Sequence, residues 1–161
     1  MATNGGASWF RRLFSRSSPV RLDPARTDLV IVAESFDDAE SASSALERAA
    51  AVGGWDSAAD SVFRHHLILP ADTVADAAST AAQDGYELVA APAPRPRIPD
   101  AGYRMPVTDG TPVTLQRVQV IDALHCSQER SRMAGLAQRR GGIVTGWDAL
   151  QPGSNEAETP D

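Results

Sequence analysis

Val62-Phe63-Arg64-His65-His66-Leu67-Ile68-Leu69, closed by Pro70, is the stretch on which the fold turns. It is rich in β-branched and aromatic side chains and stops at a residue that cannot donate to a sheet ladder, so it reads as a strand. Asp72 or Thr73 then opens a helix over about 72–84, which Asp84-Gly85 closes. Tyr86-Glu87-Leu88-Val89-Ala90 is the next strand. The segment 92–106 carries prolines at 92, 94, 96, 99 and 106, which excludes a regular helix or a central strand and predicts an extended loop. After the turn signal Asp109-Gly110, Val113 to Ile121 begins with alternating apolar and polar residues, the pattern of a half-buried strand. A helix over about 126–140 follows. Gly141-Gly142 ends it, and Ile143-Val144 starts a last strand that runs to near Trp147.

From residue 62 the order is therefore β-α-β-β-α-β, which predicts an α+β, ferredoxin-like arrangement: an antiparallel four-stranded sheet with two helices on one face. Working back toward the N-terminus, Leu29-Val30-Ile31-Val32 predicts an extra strand. Ser35 or Asp37 is then placed to cap an extra helix over about 37–52, with Ala39, Ala42, Leu46 and Ala49 at helical spacing and Gly53-Gly54 as its stop. Trp55 supplies a large anchor for the core. The expected organisation is a disordered basic tail at 1–27, one domain at 28–150, and a disordered acidic tail at 151–161.

The 161 residues suffice for one domain, and a hydrophobic content of 42% with only 6% aromatic residues predicts a thin, two-layered core. All 15 basic residues are arginine, which fits a codon bias toward high-GC genomes rather than a functional choice. Residues 1–26 hold five arginines against Asp23, a net +4, and the remainder of this −6 chain is −10. An acidic body is unsuited to nonspecific nucleic-acid binding, which depends on neutralising phosphates, and suits a protein partner with basic segments. The single cysteine, Cys126, excludes an internal disulfide. No apolar run approaches the ~20 residues of a membrane span, and the start of the chain lacks the pattern of a signal peptide, so a cytoplasmic location is expected.

None of the reactive side chains forms a catalytic or metal-ligating constellation. His65 and His66 are neighbours on a strand, so they point to opposite faces and cannot share one metal; one packed and one exposed imidazole is expected. Cys126 beside His125 sits at a predicted helix start, which lowers a thiol pKa, yet nothing marks an orienting partner or an oxyanion hole. A structural cysteine is expected. Asp37-Asp38 reads as favouring a helix dipole. Gly53-Gly54 and Gly141-Gly142 follow helices and lack the context of phosphate loops. Arg130, Arg132, Arg139 and Arg140, with Arg117, form a basic helix face; a solvated, salt-bridged face is expected, with direct RNA binding as the alternative. Trp9, Phe10, Leu13 and Phe14 with flanking arginines make a short amphipathic stretch suited to an adaptor role at a partner groove or a membrane.

Several pieces occur in an order that resembles the regulator of ribonuclease activity B (RraB) family. They are Phe63-Arg64-His65-His66-Leu67, Gly85-Tyr86-Glu87-Leu88, Asp109-Gly110, Leu136-Ala137 and Gly146-Trp147, followed by an acidic tail. The resemblance covers residues 62–150. It departs from the family in the leading strand and helix, in the length of the Pro-rich loop, and in Asp148 where the family continues with glycine. It implies a ferredoxin-like, non-catalytic protein that binds and inhibits an endoribonuclease of the RNase E type, without cofactor or metal. The residues expected to face that partner are Asp56, Asp60, His66, Asp84, Glu87, Trp147 and Asp148. An exposed sheet edge also leaves pairing with a second copy open.

Overall fold

The computed structural model describes residues 20–89 and 110–153. Its elements in chain order are β1 (Leu29–Ser35), α1 (Ala42–Val52), β2 (Asp60–Leu69), a 3-10 turn (Ala71–Thr73), α2 (Val74–Ala82), β3 (Glu87–Val89), β4 (Thr111–Val120), α3 (Ala123–Gln138) and β5 (Ile143–Pro152). The class is α+β, with three helices on one five-stranded sheet of order β1-β5-β2-β4-β3 in which every pair is antiparallel. The predicted extra strand joins the sheet itself, at the edge beside β5.

β2 is the central strand, paired along its length with β4 and β5. Period-two alternation divides its side chains. Phe63, Leu67 and Leu69 enter two buried clusters with residues of all three helices. Phe63 meets α1 residues Ala42, Ala45, Leu46 and Ala49 with Cys126 and Trp147. Leu67 and Leu69 meet Ala77 and Ala81 of α2 and Met133, Leu136 and Ala137 of α3. Alanines let the helices sit close to the sheet, which is how a chain poor in aromatics closes its core. The other side chains of β2, Arg64, His66 and Ile68 among them, face the opposite side, where no described helix lies.

Several element ends move from their expected places. α1 starts at Ala42, because Ser41 is the cap: its Oγ accepts from Ser44 N at 3.1 Å. Ser35 belongs to β1, and Asp37 closes a turn by accepting from Ala39 N at 2.9 Å, so Asp37-Asp38 is not at a helix N-terminus. α3 starts at Ala123 with Asp122 as cap, accepting from His125 N at 2.8 Å. β5 continues beyond Trp147 to Pro152, and Gln151 is buried, bonded to Asp56 N at 2.9 Å and Ser61 Oγ at 3.0 Å. The acidic tail expected from 151 therefore begins after the strand, and residues 154–161 lie outside the described part. At the other end, residues 20–27 are tied down: Arg21 donates to the Val118 carbonyl at 2.8 Å, and Leu22 N donates to Asp60 at 3.4 Å. Residues 1–19 and the Pro-rich loop 92–106 lie outside the described residues. No described helix is long and apolar enough to cross a membrane.

Candidate functional site

The polar chemistry of the domain gathers around β2, where His65 and His66 open onto opposite faces of the sheet. On the helix-free face, register places Arg64 opposite Asp148, and His66 opposite Thr114 and Gly146. Arg64 grips Asp148 through two bonds, Nε to Oδ1 at 2.6 Å and Nη2 to Oδ2 at 2.7 Å. His66 Nε2 lies 3.0 Å from the same Oδ2, and His66 Nδ1 lies 3.0 Å from the Thr114 hydroxyl. Burial alone would raise the Asp148 carboxyl; the hydrogen bonds from His66 and Arg64 outweigh it and hold the group below its ordinary range. An ionised carboxylate only accepts, so His66 Nε2 is the donor. Phe36 stacks on His66 with centroids 5.7 Å apart. A Cβ on Gly146 would run into the Phe36 ring and the Ser35 carbonyl, so glycine is what lets Phe36 close over the imidazole.

On the helix-covered face, His65 sits against Phe63 at 4.5 Å and Tyr86 at 5.7 Å between centroids. Tyr86 donates to Glu129 at 2.8 Å, which leaves its oxygen to accept from His65 Nε2 at 3.4 Å. Nδ1 has no hydrogen-bond partner among the described residues, so a second proton there would be buried without an acceptor. Burial, followed by electrostatic contributions from the neighbouring His66 and Arg117, pushes the imidazole down to about 3. Arg117 binds Glu129 at 3.2 Å and the Asp84 carbonyl at 2.8 Å, and lies 4.8 Å above the Tyr86 ring. Arg132 completes this network on the Asp84 carboxylate at 3.0 Å.

These two networks correct the expected surface. Both imidazoles are buried, at 0% and 1% exposure, so His66 is not the exposed member of the pair. Trp147 and Asp148 are equally enclosed: the indole packs edge-on against Phe63 at 5.5 Å, and the carboxylate is bound internally. These three residues do not present a partner surface. Asp56, Asp84 and Glu87 are exposed, and Asp60 is half-buried. Asp84 is already paired with Arg132, while Asp56 and Glu87 form no ion pair among the described residues.

The Thr114–His66–Asp148 sequence of hydroxyl, imidazole and carboxylate has the parts of a nucleophilic relay. Thr114, however, is 1% exposed, and Arg64 already claims both oxygens of the acid, so the arrangement serves as structure. Cys126 lies in the first turn of α3, fully buried; burial, then Asp122, pushes its thiol up to about 12. His125 instead binds its own cap, Asp122, at 2.6 Å. Among the described residues no three His, Cys, Asp or Glu side chains converge as a metal site.

Most of the arginines on and just beyond α3 are occupied as well. Arg130 donates to the carbonyls of Glu40 at 2.6 Å and Asp38 at 3.3 Å, tying the β1–α1 turn to α3. Arg140 reaches Asp76 at 2.6 Å and Thr80 at 2.7 Å, joining α3 to α2. Arg139 is exposed. This is the expected salt-bridged face. Sequence reasoning missed Tyr86, Glu129, Thr114 and Arg64 as network members. For Arg64 and Thr114 the signal was a polar residue within an apolar strand; Glu129, in the polar run 127–132, and Tyr86 carried no such signal. No family model matches this chain, and no curated protein or solved structure matches it.

Proposed function

We propose that the chain is a non-catalytic regulatory binding protein of the cytoplasm that docks on an endoribonuclease of the RNase E type and modulates RNA decay. The observation that carries this reading is the disposition of reactive and charged groups. Imidazoles, thiol and buried acids are bound or enclosed within the fold, and most arginines of α3 are held by its own acids and carbonyls. Among the described residues, the exposed acids Asp56 and Glu87 form no ion pair. A surface of that kind meets basic, extended protein segments by charge complementarity. The strand order β5-β2-β4-β3, with α2 and α3 as the two crossovers, supports a ferredoxin-like reading of residues 60–152 carrying β1 and α1 as an addition. The resemblance of residues 62–150 to the ribonuclease-inhibitor family supplies the target class.

An affinity pull-down from the native host at low and high salt, with mass-spectrometric identification, tests the reading. An RNase E-type enzyme retained at low salt and released at high salt is the expected result. Absence of every such enzyme at low salt ends it. Retention that survives Asp56→Asn and Glu87→Gln together removes the acidic surface as the mechanism.

A further inference from the structure

β1 is an edge of the sheet, with β5 on one flank and no strand paired to the other among the described residues. Along an antiparallel strand the backbone groups alternate between the two flanks. Gly153 N donates to the Asp28 carbonyl at 2.8 Å, so Asp28 turns toward β5. Leu29 stands opposite Pro152, which has no N–H to give. Leu29 and Ile31 therefore direct their N–H and carbonyl groups outward, and Val30 directs its own toward Gln151. Beyond the bulge between Ile31 and Ala33, the outward carbonyl of Glu34 is taken by Arg48 at 2.8 Å. What remains free is one matched set, on two residues spaced two apart. The side chains there are apolar, with Val30 48% and Ile31 43% exposed. Consecutive strand residues face opposite sides of a sheet, so exposure of both is what a missing lateral neighbour leaves.

We infer that β1 pairs antiparallel with β1 of a second copy about a two-fold axis at Val30, joining the two sheets into one. In this register Leu29 of each copy faces Ile31 of the other, and each such pair exchanges both of its N–H···O bonds. The outward groups are thus self-complementary, as an isologous contact requires. Val30 meets Val30 across the axis on the helix-covered face, and Leu29 packs on Ile31 on the open face. Charge favours this register over its neighbour. It sets Asp28 opposite Val32 and carries Glu34, which forms no ion pair among the described residues, toward the turn that holds Arg26. An axis moved to Ile31 would set Asp28 against Glu34, two like charges directly opposite. An apolar edge strand without lysine or proline is the template that such pairing uses. This inference is independent of the ribonuclease reading.

Sedimentation of the full chain over a concentration series, with amide hydrogen exchange, tests it. The expected result is a dimer that dissociates on dilution. In the dimer the Leu29 and Ile31 amides exchange several-fold more slowly than in the monomer, whereas that of Val30, turned toward β5, changes little. Val30→Lys, at a half-exposed site, should weaken the dimer several-fold. Val30→Cys should form a disulfide-linked dimer under mild oxidation, because the axis makes the two residues a non-hydrogen-bonded pair with Cα atoms about 4.5 Å apart. The native Cys126 is buried and does not compete. Leu88→Cys, 46% exposed on the three-residue strand β3 at the other edge, should stay unlinked. A chain that is monomeric at every concentration, with Val30→Cys unlinked, overturns the inference. So does a dimer that links through Leu88→Cys and not Val30→Cys, which moves the contact to β3. A monomer whose Leu29 and Ile31 amides slow only when an oligo-arginine peptide is added overturns it in favour of a basic partner strand.

Discussion

At the scale of single residues, two adjacent imidazoles meet opposite environments because successive strand residues point to opposite faces. His66 has a carboxylate for a partner, whereas His65 has a phenol on one nitrogen and nothing described on the other. The unfolded His65 takes up a proton near pH 6.5, the folded one at about 3. Within that interval the unfolded state binds more protons. Stability is therefore complete above about pH 6.5 and falls as pH drops, at up to about 1.4 kcal/mol per unit. His65→Phe should flatten this acid limb, read as urea midpoints between about pH 6.5 and pH 4; a variant curve parallel to that of the native chain would assign the limb to other groups. Asp148, held below its ordinary range, adds a loss only at lower pH, as its carboxylate protonates. Asp148→Asn leaves the Arg64 guanidinium without its counter-charge in a largely buried site and should cost about 3–5 kcal/mol in equilibrium unfolding. Cys126 should resist thiol reagents in the native state and react once denaturant is added.

At the scale of elements, the ends of helices and strands carry the information that periodicity lacks. The apolar spacing of α1 was legible in Ala42, Leu46 and Ala49, but the expected caps were Ser35 or Asp37, and the actual cap is Ser41. Ser35 lies opposite Trp147 in the sheet, and that pairing removes it from the helix. Ser41→Ala should therefore destabilise the domain by about 1 kcal/mol, while Asp37→Ala should leave the helix start in place, measured by hydrogen exchange of the first α1 amides. Gly146 shows the same dependence on neighbours. Alanine there would collide with Phe36 and the Ser35 carbonyl, so Gly146→Ala should cost about 1–3 kcal/mol by chemical denaturation and loosen the Phe36 cover of His66.

At the scale of the whole molecule, the acidic body and the unpaired edge of β1 are the features that reach beyond the fold. Salt should weaken any partner that uses Asp56 and Glu87, because exposed charges are screened within about 8–10 Å at physiological ionic strength. The order of strands and helices and the stops at Gly53, Pro70, Gly85 and Gly141 were readable from sequence. Local backbone preference and hydrophobic period are properties of short stretches, so short stretches reveal them. The burial of both histidines, the Arg64–Asp148 grip across 84 residues of chain and the fate of the α3 arginines were not readable. Each depends on which strands become neighbours and in what register. The sequence by itself determined the elements and their order. Only the tertiary structure decided which polar groups face solvent and which satisfy one another, because a buried charge is tolerated only beside a partner that the fold brings to it.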